Sequence, residues 1–61
     1  MDAEMMSKIL ANIQAEVAAF ELNALKVLKG GHGSGAAGVR SRTASLKLDK
    51  LFKEWRKVSV K

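Results

Sequence analysis

Apolar residues recur along the first half of the chain at alternating intervals of three and four: Ala3, Met6, Leu10, Ile13, Val17, Phe20, Ala24 and Val27. This is the seam of a heptad repeat, and it predicts a helix over about residues 2–29. Asp2 suits the N-cap, and Glu4 follows in the first turn, where the helix dipole favours negative charge. Lys26 and Lys29 suit the opposite end, and Gly30 suits the position just past it. Residues 30–35 read Gly-Gly-His-Gly-Ser-Gly, a composition that neither helix nor strand tolerates and that predicts a turn. Ser34 is placed to cap a second helix over about residues 36–58. That helix carries one stripe, Ala37, Ser41, Ala44, Leu48, Leu51, Trp55 and Val58, expected to pack on the first. The expected fold is all-α, an antiparallel helical hairpin forming one domain over residues 1–61.

Some apolar residues do not fit these stripes. Val39 and Leu46 point to the far side of the second helix, and Ile9, Leu22, Leu25 and Leu28 lie outside the seam of the first. Two apolar faces on one hairpin predict a second hairpin as partner, giving a dimeric four-helix bundle. Size argues the same way. A chain of 61 residues without cysteine has a thin core and no disulfide staple, so association is its remaining common route to stability, and a homodimer or higher oligomer is expected. The residues expected to form the core and dimer contacts are Leu10, Ile13, Val17, Phe20, Leu46, Leu48, Leu51 and Trp55.

Charge separates the two halves. Residues 1–39 hold three lysines against four acids, a net of −1, whereas residues 40–61 hold eight Lys or Arg against two acids, a net of +6. On the second helix Arg42, Lys50, Lys53, Lys57 and Lys61 gather on the side away from Trp55, with Lys47 and Arg56 at the edges. So basic a segment favours polyanions or anionic membrane surfaces. The start, Met-Asp-Ala-Glu, is acidic where a secretory signal is basic, and no apolar run reaches the roughly 20 residues of a membrane span. The expectation is a protein that remains in the compartment where it is made.

The run Arg40-Ser41-Arg42-Thr43-Ala44-Ser45-Leu46-Lys47-Leu48-Asp49-Lys50, with Lys53, Trp55-Arg56-Lys57 and Ser59-Val60 after it, resembles the N-terminal domain of the chlamydial histone-like nucleoid proteins. The Gly-led turn and alanine run from Gly33 to Ala37 extend the likeness, which covers about Gly33 to Val60. The first helix matches only in length and pattern. The resemblance implies a DNA-condensing protein of the nucleoid, with Arg40, Arg42, Lys47, Lys50, Lys53, Arg56 and Lys57 as the basic positions that carry over. That family continues into a long Lys/Ala-rich tail, whereas this sequence stops at Lys61.

Together these features predict a non-enzymatic protein that binds the phosphate backbone of double-stranded DNA without reading sequence, through Arg40, Arg42, Lys47, Lys50, Lys53, Arg56, Lys57 and Lys61. It would coat, bridge or compact DNA in the cytoplasmic nucleoid, or be packaged with a phage or viral genome. The second helix has no Asn or Gln for bidentate adenine contacts. Gly31 to Ala36 fits G-x-G-x-x-A by letter but lacks the preceding strand that fingerprint needs. His32 stands without partners for metal or catalysis, Trp55 reads as core, and the scattered acids offer no acid–base pair. No catalytic residue, metal, cofactor or small-molecule substrate is expected. Two other classes share the pattern. One is a helical assembly module that binds no DNA. The other is a peripheral helix on anionic lipid, which the first-helix heptads disfavour because they require a protein partner.

Overall fold

The structure, a computed structural model, describes residues 2–60. It consists of helix α1, Ala3–Lys29, and helix α2, Ser34–Ser59, packed against each other as a hairpin 47 × 14 × 12 Å in extent. At α1's start the Asp2 carboxylate accepts from the backbone N–H groups of Glu4 and Met5, both at 3.1 Å, which satisfies two of the donors a helix start leaves free. At its end the Gly30 N–H donates to the carbonyls of Lys26 and Val27. Gly30, Gly31 and Gly33 all have positive φ, a region that costs any residue with a Cβ, so the reversal is made within a few residues.

Ser34 does not cap α2. The N-cap position falls to Gly33, at φ 88°, and Ser34 is the first helical residue. A left-handed glycine ends the turn sooner than a serine cap would, so α2 begins two residues before the expected start and leaves its first turn without a side-chain cap.

The two helices contribute unequally to the interface. On α2, Ala37, Ala44 and Leu48 are buried, and Ser41, Leu51, Trp55 and Val58 are half-buried, at the three- and four-residue steps of one stripe. On α1 the interface follows Met6, Ile9, Ile13, Glu16 and Asn23, a line turned one residue from the heptad seam of the sequence. Ile9 and Asn23 are buried there, whereas Leu10 and Val17 stay 44% and 41% exposed and Phe20 is exposed at its edge. Leu46 is 73% exposed on the far side of α2. Within one chain, therefore, Ile13, Leu48, Leu51 and Trp55 pack between the helices, Leu10, Val17 and Phe20 lie at the edge of the interface, and Leu46 lies outside it.

The turn of α1 follows from what α2 offers it. Near the tip α2 presents only Ala37, Gly38, Ser41 and Ala44, and a Cβ placed on Gly38 would lie 3.8 Å from Val27. The helices approach closely there, and the level between them is filled by Asn23. Its amide donates to the Ala19 carbonyl at 2.8 Å, and its oxygen accepts from the Arg40 Nε at 2.8 Å. At 8% exposure this is the buried polar contact of the interface, and both amide groups are satisfied. The Asn23–Arg40 bond fixes which turn of α1 faces which turn of α2.

Candidate nucleic-acid interface

Regular helix geometry places the cations. Residues four and seven apart share a face, so Arg42, Lys50, Lys53 and Lys57 project from α2 on the side opposite Ala37, Ala44 and Leu48. All four are exposed, as are Arg40, Lys47 and Arg56. Val39 and Leu46 lie among them, 54% and 73% exposed. Lys61 falls outside the described residues. Only one of these cations makes an ion pair among the described residues, Lys53 with Asp49 at 3.6 Å, one turn apart and open to solvent. Such a pair is weak and screened, so it yields readily to a stronger anion. The other described pair, Lys8 with Glu4 at 3.9 Å, lies near the start of α1.

The hydroxyls of this stretch are turned inward on their own helix. Thr43 Oγ1 donates to the Val39 carbonyl at 3.0 Å, and Ser45 Oγ to the Arg42 carbonyl at 2.8 Å. Their protons are spent on the backbone, so lysine and arginine hold the free donors.

One flank of the hairpin is a shallow groove between the helices made of three adjoining depressions that share lining residues. Its middle stretch, about 240 Å³, is lined by Glu16, Asn23, Arg40, Thr43 and Lys47. Farther from the turn a depression of about 340 Å³ lies beside Asn12, Glu16, Lys47, Lys50 and Glu54. At the turn the groove ends in a pocket of about 280 Å³ lined by Lys26, Lys29, Gly30, His32, Gly33 and Arg40. Thus Arg40, Lys47 and Lys50 share one groove, while Arg42, Lys53 and Lys57 stand on the outer face of α2.

Four residues of this surface are given no part in anion binding by the sequence. Asn23 and Glu16 interrupt an apolar pattern and belong to no motif. Lys26 and Lys29 are read there only as partners of a helix end. The signal that finds them is pairing across the turn: a hairpin that sets Asn23 level with Arg40 also brings the end of α1 beside the start of the basic run.

Among the described residues no group of three or more His, Asp or Glu is gathered to hold a metal, and no helix is long and apolar enough to cross a membrane. No curated protein and no solved structure matches the chain. One family model does, that of the histone H1-like protein Hc1, over residues 6–61, a span that takes in nearly all of α1, the turn and α2. The chain belongs to the histone H1-like protein Hc1 family.

Proposed function

We propose that this protein binds double-stranded DNA through its phosphates, without reading sequence and without catalysis, and coats, bridges or compacts it in the nucleoid. One observation carries the reading: a member of a histone H1-like family concentrates its cations on one helix, where among the described residues only Lys53 has an acidic partner. Each phosphate neutralised by such a cation releases condensed counterions, which is a driving force indifferent to base sequence. The hairpin's length of 47 Å exceeds the roughly 34 Å of one turn of B-DNA, so one molecule can meet the backbone on successive turns.

The test is a titration of two unrelated duplexes at several salt concentrations. Equal affinities are expected, with log affinity falling by about five per tenfold rise in salt if roughly six phosphates are contacted. The triple variant Lys50→Glu, Lys53→Glu, Lys57→Glu should lose DNA at every salt while its helical circular dichroism stays unchanged. A triple variant that still binds at low salt would show that the face is wrongly assigned.

A second reading rests on the exposed Leu10, Val17 and Phe20 of α1 and Phe52 of α2. In that reading these residues associate with a second copy into a four-helix bundle that is the protein's whole task. A defined oligomer indifferent to both duplexes at low salt would favour it over DNA binding. In the leading reading the same bundle forms, and it doubles the cationic surface offered to DNA.

A further inference from the structure

We infer that the tip of the hairpin is a second phosphate site, built by Lys26 and Lys29 of α1 with Arg40 of α2, and that DNA held along α2 continues into it. The inference rests on the DNA-binding reading and extends it to the helix that the charge count sets aside, since residues 1–39 are net negative.

The pocket at the turn is lined by two lysines, an arginine and a histidine, and by no acid. Among the described residues none of its cations makes an ion pair. The nearest acid before Lys26 in sequence, Glu21, lies five residues back, about 140° around the helix and so on another face. Arg40 is held rather than loose. Its Nε is committed to Asn23 at 2.8 Å, which leaves the four terminal N–H donors of its guanidinium for another acceptor.

The plainer role for Lys26 and Lys29 is to offset the negative end of α1. The turn already meets that need in part. The Lys26 and Val27 carbonyls accept from the Gly30 N–H, and α2 starts four residues later with its positive end beside them. Two helix ends of opposite sign side by side largely cancel, so side chains set the field at the tip. That field is positive and open to solvent.

Position makes DNA the fitting anion. Arg40 lines both the tip pocket and the next stretch of groove, and Lys47 lines that stretch and the one beyond, with Lys50. Cations therefore recur along a single flank from Lys29 to Lys50, with Glu16 and Glu54 lining the stretches beyond the tip and no acid at the tip itself. Duplex DNA carries a charge for about every 1.7 Å of its axis, so a backbone laid on this flank has phosphates to offer at the tip as well.

The experiment compares salt dependence of duplex binding in the full chain, in the double variant Lys26→Gln, Lys29→Gln, and in Lys8→Gln as a charge control at the other end. The double variant should lower the slope of log affinity against log salt by about 1.8, two phosphates' worth, and Lys8→Gln should leave it unchanged. His32, the only histidine, reports independently: its imidazole NMR signals should shift when a short duplex is added to the full chain and hold still in the double variant. A double variant with the parent's slope and the parent's His32 shifts overturns the tip site while DNA binding stands. An equal loss from Lys8→Gln also overturns it, because net charge alone would then be at work. Absence of binding by the parent chain overturns the DNA reading and the tip site together.

Discussion

At the scale of single residues, the contact that most constrains this molecule is Asn23 with Arg40. An asparagine inside a helix interface costs more than an apolar side chain unless both ends of its amide are satisfied, and here both are. Its return is register. Alanine, serine and glycine on the facing stretch of α2 offer little shape to hold one turn against another, whereas a hydrogen bond between charged and neutral partners at 2.8 Å specifies a single alignment. Asn23→Ala should therefore cost about 0.5–1.5 kcal/mol, the net worth of a hydrogen bond, because the exposed Arg40 that it releases can turn to water. Arg40→Ala should cost more, about 1–3 kcal/mol, because it leaves the buried Asn23 oxygen without its donor, and the double variant should cost less than the sum. Chemical denaturation of the four species closes the cycle. Strict additivity would mean that the two side chains do not act on each other in solution. The sequence gives no hint of this pairing, because a lone polar residue on an apolar stripe reads as an interruption until the opposite helix supplies its partner.

The two helices, taken as elements, differ in how far their packing is legible. α2 carries one long apolar stripe, with only Val39, Leu46 and Phe52 as large apolar side chains off it within the helix, so one rotation buries most of its apolar side chains, and that stripe is the one found between the helices. α1 is apolar over much of its circumference. Two adjacent seams compete, sharing Met6, Ile13, Phe20 and Val27 and differing in whether Ile9, Glu16 and Asn23 or Leu10, Val17 and Ala24 complete them. Hydrophobicity favours the second set, yet the molecule buries Ile9 and Asn23 and half-buries Glu16, while Leu10 and Val17 stay exposed, and Asn23 bonds to Arg40 across the interface. The turn was legible in composition but not in detail, since four glycines mark a reversal without saying which of them must be glycine. Conformation now separates them. Gly33 sits at φ 88° and Gly35 in regular helix, each with open space where a Cβ would go. Gly33→Ala should lower the melting temperature, as a forced left-handed alanine costs about 1–2 kcal/mol. Gly35→Ala should raise it, by up to about 1 kcal/mol of helix propensity. Thermal scans of the two variants side by side decide the matter, and the same sign in both would contradict the position of the α2 start.

For the whole molecule the question is what the hairpin does with the apolar surface it does not use. Its accessible area is 4655 Å², where a compact monomer of 6.6 kDa is expected to show about 3,900 Å². The excess is unevenly placed. In an antiparallel pair of right-handed helices, the flank opposite the Arg40–Lys47–Lys50 groove carries Leu10 and Val17 of α1 with Phe52 of α2, all exposed. One flank thus offers cations and the other offers aliphatic and aromatic side chains. Two hairpins joined through their apolar flanks would bury these residues and leave both cationic grooves facing outward, in an arrangement able to hold two DNA segments at once. Association of this kind links stability to concentration, because the partner binds the folded chain and not the unfolded one. The melting temperature should therefore rise as the protein is concentrated, and sedimentation should give twice the chain mass. Leu10→Gln with Val17→Gln should abolish both effects while keeping the helical spectrum, since both side chains lie outside the buried core of one hairpin. If the parent chain sediments as a 6.6-kDa monomer throughout, with a melting temperature independent of concentration, the bundle is ruled out, and any bridging of DNA must come from the two faces of a single hairpin.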